Sequence, residues 1–377
     1  MNQPLFTSTP TSVSMIEPES SLVTTLMDSM TQTPAFDGKP AKLVELTNQS
    51  GMRLVVMDIG ATWLSCVLPL ASGEKREVLL GNVTMADFKR QHNYMGATVG
   101  RYANRIAQGR FDLHDVTYQV STNQSGNCLH GGEEGFDKRR WTIEAQSQSR
   151  VTFGLLSSDG DQGFPGNLSV SVSYELTSCN QVKISYFAKS DKATPVNLTN
   201  HAYFNLAGAE SGEDCLSHYL AINAEQFVPT NGVGIPIGVI ESVAGTGFDF
   251  RVGKTISTHF MQDNQQISAK GYDHSYLFTA LRDVCEPIAM VMSPDEQVRL
   301  YVKTDKPAMQ LYTGNWLAGA PNRSGGVYGD YAGLALETQF LPDSPNNLEW
   351  LQLNGQSNCI LEPDQEYQYQ TTYQFEC

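Results

Sequence analysis

The segment Thr194-Pro-Val-Asn-Leu-Thr-Asn-His-Ala-Tyr-Phe-Asn-Leu206 concentrates groups that could do chemistry. Read as one extended strand, it sends Val196, Leu198, Ala202, Phe204 and Leu206 to one face and Asn197, Thr199, His201, Tyr203 and Asn205 to the other, because side chains alternate along a strand. The second face is polar but uncharged. Asn, Thr, His and Tyr together supply the donors and acceptors that hydroxyl groups need, although a histidine satisfied by its sheet neighbours would look the same. Gly333-Leu-Ala-Leu-Glu-Thr-Gln-Phe340 repeats the alternation and places Glu337 beside Gln339 in an otherwise apolar strand. A carboxylate held there loses solvation, its pKa rises, and it becomes a better base near neutral pH. The same pattern also fits an edge strand whose glutamate faces water.

Three shorter stretches add groups of the same kind. Gly100-Arg-Tyr-Ala-Asn-Arg-Ile106 brings Arg101, Asn104 and Arg105 into a loop-like stretch, and the fork of an arginine suits oxygen acceptors. Leu129-His-Gly-Gly132 sets His130 beside two glycines that would let a ligand approach the backbone. Gly271-Tyr-Asp-His-Ser-Tyr276 offers Asp273 and His274 between aromatic rings. Each of these also reads as an ordinary structural turn. Other chemistries lack their signatures. Gly232-Val-Gly-Ile-Pro-Ile-Gly238 holds Pro236 and opens no helix, so it is not a nucleotide loop. The histidines show no metal-binding spacing, and there is no G-x-S-x-G nucleophile elbow. No metal and no cofactor is called for.

The elements that must hold these residues are strands. Leu168, Val170, Val172, Tyr174 and Leu176 alternate with Ser169, Ser171, Ser173 and Glu175, and similar period-two runs lie at 182–186, 298–303 and 367–375. Turn clusters such as Ser158-Asp-Gly-Asp-Gln-Gly163 separate them, and helical windows are few and short, Met85 to Arg90 being the clearest. Many short strands joined by Gly-rich turns predict an all-β antiparallel sandwich. Residues 1–35, rich in Ser, Thr, Pro and Met, read as a mostly flexible N-terminal extension with one weak helical pattern at Leu22, Val23, Leu26, Met27 and Met30; residues 36–377 read as a single domain.

The 40 acidic against 25 basic side chains give a formal charge of −15, which repels nucleic acid and anionic membrane and excludes both as partners. Seven scattered cysteines, odd in number and without a C-x-x-C pair, suggest a reducing compartment. No Lys or Arg precedes Lys39, so the basic element of a secretory or transit signal is missing and the expected location is the cytoplasm.

Seven segments, in order, resemble the aldose 1-epimerases, also called galactose mutarotases: Gly-Arg-Tyr-Ala-Asn-Arg-Ile (100–106), Leu-His-Gly-Gly (129–132), Asp-Gly-Asp-Gln-Gly-Phe-Pro-Gly-Asn-Leu (159–168), Asn-Leu-Thr-Asn-His-Ala-Tyr-Phe-Asn-Leu (197–206), Tyr-Asp-His (272–274), Gln-Leu-Tyr-Thr-Gly-Asn (310–315) and Leu-Glu-Thr-Gln (336–339). The resemblance implies a large antiparallel β-supersandwich that binds a small-molecule aldose in an open cleft and interconverts its anomers. It implies His201 as the general acid at the ring oxygen and Glu337 as the general base at the anomeric hydroxyl, with Asn104, Arg105, His130, Tyr203, Asp273 and Gln310 binding the sugar. A hexose-6-phosphate 1-epimerase, a glycoside hydrolase using Asp273 and Glu337, and a carbohydrate-binding protein without catalysis are the alternatives on the same residues. The N-terminal extension is the one departure from the family pattern.

Overall fold

In the computed structural model, residues 22–352 and 358–377 are described. Antiparallel strands dominate. A nine-stranded sheet runs in the order Thr142–Gln146, Arg150–Ser157, Leu168–Leu176, Gln181–Ser190, Tyr367–Glu376, Arg299–Thr304, Ala289–Met292, Tyr219–Ile222 and Lys254–Thr255. A six-stranded sheet runs in the order Tyr203–Phe204, Leu334–Gln339, Ala308–Tyr312, Asp273–Leu277, Gln226–Val228 and Glu241–Ser242. A third sheet, of four strands between Leu43 and Glu77, completes the body.

The period-two runs explain this arrangement. In Leu168–Leu176 the apolar members Leu168, Val170, Val172, Tyr174 and Leu176 are buried, and in Tyr367–Glu376 so are Tyr367, Tyr373 and Phe375. These residues share one core with Phe204, Leu336 and Leu311 from the six-stranded sheet, each buried side chain contributing on the order of 1.5–3 kcal/mol. Tyr373 ties the layers by donating its hydroxyl to Leu336 O at 3.0 Å. With one face of the six-stranded sheet packed on this core, its other face is free to carry polar groups.

The helix expected from Met85 forms at Met85–Arg90, capped by Thr84, whose side chain accepts from the Asp87 N–H at 3.1 Å. The weak pattern near the N-terminus is also a helix, Leu22–Gln32. Leu26 and Met30, one turn apart, are buried and join Ala35 in a cluster with Val55, Met57, Met85 and Phe88. The boundary expected at residue 36 therefore cuts through a packed cluster. Residues 22–35 belong to the body because four-residue spacing puts Leu26 and Met30 on one helix face, and residues 1–21 lie outside the described ones. No helix among the described residues is long and apolar enough to cross a membrane. The seven cysteines are all free.

Candidate active site

Strand register decides which side chains meet. In the six-stranded sheet Tyr203 pairs with Ala335, Gln310 with Glu337, Tyr312 with Ala335, Asp273 with Tyr312 and Ser275 with Gln310. Paired residues share a face, so Tyr203, Glu337, Gln310, Tyr312, Asp273 and Ser275 all point the same way. One step along the chain points to the core instead. His274 pairs with Leu311, is fully buried, and packs against Phe248 at 4.7 Å between ring centres. Its place beside Asp273 in sequence therefore does not bring it to the site, and Tyr272 and Tyr276, the rings that flank the pair in sequence, are core residues too.

The segment 194–206 departs from the single strand expected of it. It breaks into Thr194–Pro195, Thr199–Asn200 and Tyr203–Phe204, each paired with a different partner. Its polar residues divide accordingly. Asn197 donates to Ala103 O and accepts from Phe340 N, and Asn205 donates to Glu213 O and Ala332 O, so these amides fasten loops. His201 and Tyr203 reach the cleft.

That cleft, with the open space at its mouth included, occupies about 670 Å³. His201, Glu337, Asn104, Arg105, His130, Tyr203 and Asp273 line it. Gln310 does not; it lies behind Asp273, donating Nε2 to Asp273 Oδ1 at 2.6 Å while accepting the Ser275 hydroxyl. Arg101 is also absent from the cleft. Its guanidinium is buried among Pro165 O, Gly166 O and Ser157, where it staples loops together. The glycines after His130 serve chain packing, since a Cβ on Gly131 would stand 2.0 Å from Gly100 O.

Sequence reasoning missed His92, Asn93, Tyr94, Gln124, Tyr312 and Trp316 in the lining. Tyr312 falls inside the Gln-Leu-Tyr-Thr-Gly-Asn segment and was within reach. His92 to Tyr94 follow the Met85–Arg90 helix in a stretch without periodicity. Tyr94, Asn104 and His130 have φ of +56°, +63° and +51°. Such left-handed backbone is uncommon outside glycine, costs on the order of 1 kcal/mol or more, and gathers at functional sites.

His201 Nε2 lies 3.7 Å from Glu337 Oε1, and the two side chains are about 5% and 3% exposed. Tyr94 lies nearly parallel to the imidazole at 5.9 Å, Tyr203 tilts over it at 4.9 Å, and His130 meets it edge-on at 5.2 Å. This wrapping strips water from the ring and pushes the His201 pKa down to about 4, the carboxylate of Asp273 opposing in part. Burial pushes Glu337 up to about 8, with Asp273 adding to the rise and Arg105 countering it. Thus both groups favour their neutral forms. Among the described residues, His201 Nδ1 and Glu337 Oε2 have no hydrogen-bond partner.

Arg105 is held by Gln124 Oε1, which accepts from Nε at 2.8 Å, and approaches Asp273 Oδ2 to 3.5 Å. His130 Nδ1 accepts the Asn104 N–H at 3.1 Å, so the proton of the neutral ring is on Nε2; burial and the neighbouring His201 and Arg105 keep its pKa well below the usual value. His130, His201 and Glu337 are close enough together to grip a metal ion. The tautomer of His130 opposes that use, because an Nε2 carrying a proton has no lone pair to give. The cleft is instead rich in directional donors and acceptors around one acid–base pair.

The aldose 1-epimerase family profile matches residues 42–374. The chain is 48% identical to the aldose 1-epimerase of Escherichia coli (strain K12) over 92% of its own length and 99% of that relative, and 49% identical to that of Haemophilus influenzae over 85% and 93%. Its fold matches the crystal structure of an aldose epimerase homologue from C. elegans with a TM-score of 0.80 at 28% identity, covering 89% of this chain and 99% of that one. The antiparallel β-sandwich is thus the family fold, and the chain belongs to the aldose 1-epimerases, isomerases that interconvert the α and β anomers of free aldoses.

Proposed function

We propose that His201 and Glu337 perform the anomer exchange, His201 protonating the ring oxygen and Glu337 taking the proton of the anomeric hydroxyl. The observation that carries this reading is their 3.7 Å separation, without a hydrogen bond between them, in a cleft lined by polar and aromatic side chains. The ring oxygen and the anomeric hydroxyl are bonded to the same carbon, so a pair spaced this way reaches both. As the hydroxyl proton passes to Glu337, the O–H electrons form the carbonyl, the C1–ring oxygen bond breaks, and the ring oxygen takes a proton from His201. Rotation about C1–C2 and the reverse transfers close the ring on the other face. Each group serves as acid in one direction and base in the other, at about 10²–10⁴-fold per group.

The pair carries one exchangeable proton in the free enzyme. Burial alone leaves it on Glu337, and the form needed for ring opening has it on His201. Sugar hydroxyls donating to the carboxylate of Glu337 stabilise its charge, as Arg105 does, while Asp273 stabilises the imidazolium. Binding thereby moves the proton across without changing the charge of the pair.

Asn104, Arg105, His130, Tyr203 and Asp273 hold the sugar, and Gln310 acts by fixing Asp273. Free hexoses such as galactose and glucose fit better than phosphorylated ones, since Arg105 is the one Lys or Arg among the described residues of the lining and already faces Asp273. Polarimetry on galactose, glucose and glucose 6-phosphate tests the reading. His201→Ala and Glu337→Ala should each nearly abolish exchange of the free sugars; near-normal rates in either variant remove that residue from the mechanism, and faster turnover of the phosphate overturns the substrate class.

A further inference from the structure

The loop after Gln226–Val228 folds back on itself through an antiparallel bridge between Thr230 and Pro236 and a 2.8 Å bond from Asn231 N–H to Ile235 O. At its tip Gly234 has φ of +78°, and a Cβ built there would lie 2.6 Å from Arg105 Cζ, 2.8 Å from Nε and 2.8 Å from Nη1. A point nearly equidistant from three atoms of a planar group lies over its face. The backbone of Gly234 is therefore laid against the flat of the guanidinium. The nitrogens of Arg105 meet Gln124 Oε1 at 2.8 Å, Asn104 Oδ1 at 3.5 Å and Asp273 Oδ2 at 3.5 Å. Two of these contacts are long for hydrogen bonds, so the tilt of the fork depends also on what covers its face.

We propose that Gly234 is a positioning residue for Arg105: the loop from Thr230 to Pro236 is a back wall that sets the tilt of the guanidinium toward the sugar, and it needs glycine because any side chain would occupy the guanidinium's place. The inference rests on the reading of Arg105 as a sugar ligand. A side chain at 234 leaves the fold intact, since the atoms it meets are the far end of a long, flexible side chain. It tilts the fork instead, and small misplacements of binding groups cost up to about 10²-fold in rate.

Gly238 provides the control, because it has a similar left-handed φ of +87° in the same region and open space where a Cβ would stand. Gly234→Ala and Gly238→Ala thus share the backbone strain and differ in the contact with Arg105. Polarimetric kinetics on galactose should show Gly234→Ala losing roughly tenfold in kcat/KM, mostly through KM, while Gly238→Ala stays near the parent. The alkaline limb of the pH profile should move up in Gly234→Ala, because Arg105 holds the Glu337 pKa down. In an Arg105→Ala background Gly234→Ala should add nothing, the non-additivity expected when one residue acts through another. Equal losses in the two glycine variants, an unshifted alkaline limb, or full additivity with Arg105→Ala overturn the proposal. If Arg105→Ala itself leaves KM unchanged, the reading of Arg105 as a ligand fails first, and that result is distinguishable from the others.

Discussion

Gln310 stands directly opposite Glu337 in the sheet ladder, yet its amide is turned to Asp273 and Ser275, and Glu337 Oε2 is left without a partner among the described residues. A glutamine bonded to the glutamate would stabilise its charge and lower its pKa. Turned away, it fixes Asp273 and leaves Glu337 to the sugar. Gln310→Ala should therefore loosen Asp273 and raise KM more than it lowers kcat, by roughly tenfold. Gln310→Glu sets a third carboxyl group beside Asp273 and Glu337, and should move the alkaline limb of the pH profile upward, as read by initial rates of mutarotation.

The pH profile itself follows from the pair. Below about pH 4 His201 takes a second proton and no base remains; above about pH 8 Glu337 loses the one shared proton and no acid remains. A plot of kcat/KM against pH, corrected for the uncatalysed reaction, should be a bell with limbs near 4 and 8. The limbs belong to the pair rather than to either residue. A single limb near pH 6.5, the ordinary range of an exposed histidine, contradicts the buried, neutral His201.

How much of this was legible in the sequence depended on where the physics is local. The strands Leu168–Leu176 and Tyr367–Glu376 and the helix Met85–Arg90 were readable because alternation and capping act within a few residues. Placing Glu337 on a polar face was equally local, but the alternation fitted a water-facing glutamate as well, and the burial that raises its pKa comes from packing across the sheet. Continuity of 194–206 was misread, since the breaks at Asn197 and His201 come from pairing with distant segments at 98–99 and 334–335. Arg101 and Arg105 look alike in sequence and separate only in space. Gly234, 129 residues from Arg105, has no sequence signal of its role, because that role is a contact between two loops.

The helix Leu22–Gln32 should contribute measurably to stability, contrary to a flexible tail. Met30 is fully buried against the cluster that includes Met85 and Phe88. Met30→Ala should cost about 2–3 kcal/mol in denaturant unfolding. An unchanged midpoint would mean that the helix is undocked in solution. Since Met85–Arg90 leads directly into His92, Asn93 and Tyr94, the same variant should also raise KM.

Lys306 is fully buried, with Nζ donating to Leu198 O at 3.2 Å and lying 4.4 Å and 4.5 Å from the ring centres of Tyr369 and Tyr367. Burial pushes its pKa down from 10.5 to about 7, with Asp305 opposing, and the aromatic faces favour the ammonium as well. The unfolded chain therefore binds a proton between about pH 7 and 10.5 that the folded chain does not. Stability should rise with pH across that window, by at most on the order of 5 kcal/mol, and this contribution is absent below pH 7, where both states are protonated. Lys306→Met keeps the volume and removes the titration. Unfolding of the two proteins from pH 6 to pH 10 should give curves whose difference grows in favour of the parent as pH rises; a constant difference would mean that the aromatic cage holds the lysine charged throughout.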